Sequence, residues 1–276
     1  MGQRIVTGAI LLLALVVVLC FGGAVVGAAA MLSICFAVHE EYRALTVAGH
    51  RPVSWPTWCV VVLSVPMTHY FGTTMLVVLM MSACLLTMGH VVFRSEPRLD
   101  DALMSLLPLF SVLLPGLCIM ALAFVQPVEL QRVLLSLVLA VPILCDTMAY
   151  FVGSTLRGPK FCPAVSPNKT ISGAIGGLCG AVIAAALIAL IAHWTCTPEV
   201  EALLPRWWSY LLMGVIGGVA SQLGDLFASL VKRHCGIKDF SNLFPGHGGM
   251  LDRMDSILFM AVVVFCVRIL SAGSLV

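Results

Sequence analysis

Charge is what this sequence has least of. Only 10% of its 276 residues are Asp, Glu, Lys or Arg, while 61% are apolar; soluble domains carry about 25% charged residues. The longest polar stretches, 39–55, 154–170 and 234–253, are too short to hold a soluble domain between the apolar runs. There is no Cys-x-x-Cys pair and no paired-histidine spacing among the 11 cysteines, which excludes a zinc or disulfide framework. Most, such as Cys84, Cys118 and Cys145, stand singly inside apolar runs and behave as small hydrophobes. The net charge of +2 is too weak and too dispersed for nucleic-acid binding. Position 6 is Val6, not the Ser or Thr that N-myristoylation prefers.

What is present is apolar length. The mean hydropathy is +1.07, and runs of about 20 apolar residues cross a hydrocarbon core. The chain reads as a single membrane-embedded, all-α polytopic domain over 1–276, with N-terminal spans in 1–125 and a second part in 126–276. About nine spans are expected: 5–20, 23–38, 56–70, 72–93, 102–125, 130–153, 171–194, 207–233 and 254–272. The first run, continuing to Val38, outlasts a signal peptide's apolar region of about 7–15 residues. With the N-terminus inside, nine spans place 12 of the 15 Lys and Arg on the cytosolic side, leaving Arg132, Arg206 and Arg268 outside. Stretches 154–170 and 234–253 then both face the cytosol.

Against this background the intramembrane acids stand out, because an Asp at mid-bilayer costs about 2.5–3.5 kcal/mol. Asp225 lies seven residues before the basic end of its span, and Ser221, Gln222, Asp225, Ser229 and Lys232 form one polar helical stripe. That stripe lines a hydrated cavity, or Asp225 bonds within its own helix to Ser229. Asp146 repeats the pattern in "VPILCDTMAYFVG". After it, Lys160, Ser166, Lys169, Thr170 and Ser172 lead into a glycine-rich helix start, a setting suited to phosphate oxygens.

The densest polar stretch is "SLVKRHCGIKDFSNLFPGHGGMLDRMDS", residues 229–256. Asp252 and Asp255 share a helix face and, with Asp225, offer hard oxygen ligands suited to Mg²⁺. Lys232, Arg233, Lys238 and Arg253 supply phosphate-binding charge, and Gly246, Gly248 and Gly249 permit close backbone approach or an anion-binding nest. Carboxylates and cations in one such stretch point to nucleotide and phosphate chemistry. His247 is expected to orient a phosphate or the loop. Glu40 and Glu41 read as solvated loop charge, or as the border of a lipid entrance.

These residues resemble the phosphatidate cytidylyltransferases, the CDP-diacylglycerol synthases. The family signature is matched without a gap from Ser229 through Lys232, Arg233, Lys238, Asp239, Ser241 and Pro245-Gly246-His247-Gly248-Gly249 to Asp252, Arg253 and Asp255. "GDLFAS", "DTMAYFVG" and "SPNKTISGAIGG" resemble further family elements, with Ile171 where many members carry Trp. The likeness covers 146–256; the first hundred residues match only as apolar spans. It implies CTP and phosphatidate as substrates, CDP-diacylglycerol and pyrophosphate as products, Mg²⁺ as cofactor and a homodimer in the bilayer. The implied site is a cavity open to cytosol and bilayer in the cytoplasmic (inner) membrane. Metal sites carry over onto Asp225 and Asp252, and Asp255 and Asp146 extend the set; a second, monovalent cation is a further expectation. Asp225, Lys232, Asp252 and Asp255 form the expected catalytic group. Lys160, Ser166, Lys169, Thr170, Ser229, Arg233, Lys238, Gly246, His247, Gly248, Gly249 and Arg253 are the expected substrate contacts. The rival from another class is a transporter, which intramembrane acids also suit; no second copy of the Pro-Gly-His-Gly-Gly loop supports the internal repeat such a fold usually has.

Overall fold

The computed structural model describes residue 17 and residues 21–272. Its helices are α1 Gly23–Val47, α2 Trp55–Phe71, α3 Thr74–Val92, α4 Leu99–Pro108, α5 Leu114–Ala123, α6 Val128–Leu156, α7 Ile171–Thr195, the short α8 Pro198–Glu201, α9 Trp207–His234 and α10 Leu251–Ala272. Seven helical segments among the described residues are long and apolar enough to cross a bilayer, with α4 to α5 counted as one, so the chain is an all-α polytopic membrane protein. The span expected at 56–70 is a shorter apolar helix, Trp55–Thr68. The span expected at 5–20 lies, but for Val17, outside the described residues.

Three features depart from the expected pattern. First, α4 and α5 are joined by a π segment, Leu109–Leu113. It follows Pro108, which has no N–H with which to continue the α ladder, and it brings the Ser111 hydroxyl onto Glu41 Oε2 at 2.7 Å. Second, the stretch 154–170 is not a plain loop. Strands β1 Lys160–Cys162 and β2 Ser166–Thr170 form an antiparallel hairpin that pairs Lys160 with Thr170 and Cys162 with Ser166. Third, α1 runs on to Val47, so Glu40 and Glu41 lie inside it. They are 4% and 1% exposed, which rules out solvated loop charge.

Small residues set the close packing of the helices that carry the polar side chains. A Cβ at Gly180 of α7 would sit 2.7 Å from the Leu144 carbonyl oxygen, and one at Gly173 would sit 2.8 Å from that of Ala149. The backbones of α6 and α7 therefore approach as only small residues allow. On α9, Gly218 faces the Ala181 methyl of α7 and Gly224 faces the Asp255 carbonyl of α10 in the same way. Thus α6, α7, α9 and α10 are held side by side, and their acids at one end of the bundle come together. That end is tied further: His50 and His234 stack with Nε2 atoms 2.9 Å apart, and Asp101 accepts from the Arg51 N–H at 3.0 Å.

Candidate active site

A cavity of about 460 Å³ opens where α6, α7, α9 and the hairpin meet. Asp146 and Tyr150 reach it from α6, Phe161, Asn168, Lys169 and Thr170 from the hairpin, and Gln222 and Asp225 from α9. Each is placed by local chemistry. Thr170 caps α7, its Oγ1 accepting from the Gly173 N–H at 3.1 Å. That fixes the preceding residue, Lys169, whose ammonium forms an ion pair with the Asp225 carboxylate. Gln222, one turn before Asp225, donates to the Ala174 carbonyl at 2.9 Å and locks α9 against the start of α7. Asp225 makes its ion pair with Lys169, so the intrahelical alternative with Ser229 is not the arrangement found.

Beside the cavity, Asp255 completes an acidic trio. Asp146, Asp225 and Asp255 lie within electrostatic reach of one another. Lys169 and Arg253 act on Asp146, and Lys232 acts on Asp255. Like charges within reach of one another disfavour joint ionisation, and Lys169, Arg253 and Lys232 are the cations near them.

Asp252 has a different setting. Its side chain is 3% exposed. Oδ1 accepts from Lys232 Nζ at 2.8 Å, and Oδ2 accepts from the N–H groups of Phe240 and Gly249, each at 2.9 Å. A carboxylate has about four lone-pair sites, so three are taken. Asp252 thereby organises the loop between α9 and α10. Lys232 also lies over the Phe240 ring, 5.4 Å from its centroid. Asp252→Asn is expected to lower thermal stability in detergent by about 2–4 kcal/mol, because it breaks a buried ion pair and leaves a buried N–H short of an acceptor. A melting curve of the purified variant checks this.

The glycine stretch is not an open nest. The Gly249 N–H goes to Asp252, and those of Met250 and Leu251 go to Glu40 at 3.0 and 2.8 Å. Phe244 and Gly248 close the turn themselves, with the Phe244 N–H on the Gly248 carbonyl at 2.9 Å. Gly246 and Gly248 have φ of 76° and 82°, the left-handed backbone that glycine permits. The Nδ1 of His247 is buried without a hydrogen-bond partner.

The structure thus gathers Asp146, Lys169, Thr170 and Asp225 at one cavity, with Asp255, Arg253 and the Lys232–Asp252 pair adjoining. Of the expected site residues only Asp146, Lys169, Thr170 and Asp225 line that cavity. Lys160, Ser166, Ser229, Arg233, Lys238 and the Gly246, His247, Gly248 and Gly249 stretch do not, nor do the adjoining Lys232, Asp252, Arg253 and Asp255, and Lys160, Arg233 and Lys238 are exposed. Glu40, absent from the sequence-based set, sits at the centre of the loop's hydrogen bonds. In the sequence it stands in the polar stretch 39–55, just past an apolar run, where nothing sets it apart from loop charge.

A polytopic helical membrane protein with an acidic, cation-flanked cavity at one end of its bundle is the class that fold and site define. The chain belongs to the cytidylyltransferase family, whose model matches residues 2–270. Among similar proteins, a phosphatidate cytidylyltransferase of Brucella abortus biovar 1 (strain 9-941) is 42% identical over 120 residues, 44% of this chain and 41% of that protein. One of Bacillus subtilis (strain 168) is 44% identical over 116 residues, 42% of this chain and 39% of that protein. One of Rickettsia prowazekii (strain Madrid E) is 36% identical over 168 residues, 59% of this chain and 72% of that protein. The match spans about two fifths of the Brucella and Bacillus proteins.

Proposed function

We propose that this chain is a CTP:phosphatidate cytidylyltransferase. The observation that carries the reading is the meeting of Asp146, Asp225 and Lys169 at one cavity beside Asp255, Arg253 and Lys232. Family membership and the similarity to phosphatidate cytidylyltransferases agree with it. A phosphate oxygen of phosphatidate attacks the α-phosphorus of CTP. The new P–O bond forms as the bond to pyrophosphate breaks. The attacking phosphomonoester, with a second pKa of about 6, is largely ionised at neutral pH, so no general base is required. The work of the chain is positioning and charge compensation. Lys169, Lys232 and Arg253 offset the charge of the phosphates, and the hairpin holds Lys169 beside Asp225.

Mg²⁺ fits the donor set. Carboxylate oxygens are hard ligands, and Mg²⁺ takes one or two carboxylates with substrate phosphates supplying the rest. Among the described residues no three His, Cys, Asp or Glu side chains converge as a ready metal site, so substrate phosphates would have to complete the shell. Asp225 would hold the ion with Asp146 or Asp255, and Asp252 has one lone-pair site left for it. A second, monovalent cation would share the same acids. When bound, Mg²⁺ offsets charge that develops on the phosphoryl oxygens. The chain would act in the cytoplasmic membrane, as a homodimer, with the cavity facing the cytosol.

Purified protein with CTP, Mg²⁺ and phosphatidate is expected to yield a lipid-soluble nucleotide. A protein that instead moves ions across liposomes without CTP would fit the transporter reading. Orientation has its own test. Cysteine placed at exposed Lys238 is expected to react with an impermeant thiol reagent from the cytosolic side alone, above the background of the native cysteines. Reaction from the outer side would reverse the topology.

A further inference from the structure

The loop between α9 and α10 ends in two glycines, and each lies flush against a buried carboxylate. A Cβ on Gly248 would come within 2.8 Å of Asp252 Oδ2, and a Cβ on Gly249 within 2.5 Å of Glu40 Oε2. Asp252 belongs to the loop's own helix. Glu40 comes from α1, about 200 positions away in the chain, with |i−j| of 201 to Ser241 and 211 to Leu251. Its Oε1 accepts from the Ser241 hydroxyl at 2.6 Å and the Met250 N–H at 3.0 Å, and its Oε2 accepts from the Leu251 N–H at 2.8 Å. The last two donors are among the unpaired N–H groups that begin α10, where the helix dipole favours an anion. One carboxylate therefore ties both ends of the segment 241–251. The first turn of α10 then carries Arg253 and Asp255 to the acidic trio.

We infer that Glu40 is a positioning residue of the transfer site: it latches the 241–251 loop and so sets where the first turn of α10 presents Arg253 and Asp255. The inference rests on the proposed reaction for its kinetic readout, but not for its structural one. Glu40 does not line the cavity of Asp146, Lys169 and Asp225. It acts through the loop, and Gly249 is glycine because Glu40 occupies the space a side chain would need.

The test is a double-mutant cycle of Glu40→Ala and Gly249→Ala in the full chain, with Glu40→Gln as the conservative variant. Activity and amide hydrogen exchange of residues 240–251 are measured on each protein. Glu40→Ala is expected to lower kcat about a hundredfold, as loss of two or more buried acceptor bonds implies, with KM for CTP and phosphatidate within about threefold. Loop exchange should quicken by about tenfold or more. Glu40→Gln, which keeps an acceptor oxygen, should recover to within about tenfold of the native rate. Gly249→Ala alone should lower kcat about a hundredfold, but less than about threefold further when added to Glu40→Ala, because the clash is gone.

Native kcat in Glu40→Ala, a fall in kcat with unchanged loop exchange, or fully additive losses in the cycle would each overturn the inference. If Glu40→Ala does not fold, Gly249→Ala with and without Glu40→Gln decides by the same exchange readout: faster loop exchange in Gly249→Ala supports the latch, and unchanged exchange overturns it. If the native protein makes no lipid-linked nucleotide, the proposed reaction fails while exchange in Glu40→Ala still decides the latch.

Discussion

Asp225→Asn is expected to lower the rate of the proposed cytidylyl transfer by about a thousandfold and leave the melting temperature in detergent nearly unchanged. Removing one preorganised electrostatic group from a site of this kind costs about 10²–10³ in rate, and Asp225 serves twice. It pairs with Lys169 across the cavity, and it is the acid that both Asp146 and Asp255 feel most strongly among their neighbouring charges. Asparagine has nearly the same shape and still offers an oxygen to Lys169. The α9 packing at Gly218 and Gly224, set against Ala181 and Asp255, is not touched. The fold should therefore survive while the charge is lost. Raising Mg²⁺ should restore only part of the rate. A variant within about tenfold of the native rate would remove Asp225 from the centre of the site.

Gly248→Val is expected to reduce turnover about a hundredfold or more, well beyond His247→Ala, which should lose about tenfold or less. Two penalties coincide at Gly248. Its φ of 82° is one that a β-branched residue adopts only under strain. The added Cβ would also fall 2.8 Å from Asp252 Oδ2 and 3.2 Å from Asp252 Cβ. Asp252 cannot move aside freely, because the same carboxylate holds Lys232 and the Phe240 N–H. The imidazole of His247 has an unpartnered Nδ1, so its removal breaks no protein hydrogen bond at that atom. Rates at saturating CTP and phosphatidate, with size-exclusion profiles as the check on folding, compare the two. An inactive His247→Ala beside a near-native Gly248→Val would give His247 a direct role in the chemistry.

Helices α3, α6, α7, α9 and α10 were legible because an apolar run of the right length has few other solutions in a membrane protein. Asp146, Lys169 and Asp225 were legible because an acid inside an apolar span is costly and a lysine before a helix start is a phosphate signal. The reach of α1 past Val38 was not, because His39, Glu40 and Glu41 look polar until their partners are known. Those partners, Ser241, Met250, Leu251 and Ser111, lie far along the chain, and no local pattern encodes so distant a contact. The role of Asp252 was hidden for a related reason. Its residue type suits a metal, yet Lys232 and two backbone N–H groups that no sequence displays together take three of its lone pairs. The β1–β2 hairpin was masked by Pro159, Pro163 and Pro167, which read as breakers, although its strands need only two register pairs.

The fate of the α-phosphorus tests the central claim most directly. Two samples of CTP, one labelled at the α-phosphorus and one at the γ-phosphorus, are given separately to the purified protein with Mg²⁺ and phosphatidate, and the mixture is partitioned between water and organic solvent. The α-label should pass to the organic phase only when phosphatidate is present, while the γ-label stays in water as pyrophosphate. An α-label that remains aqueous, or a γ-label that moves to the lipid, would contradict nucleotidyl transfer at this site.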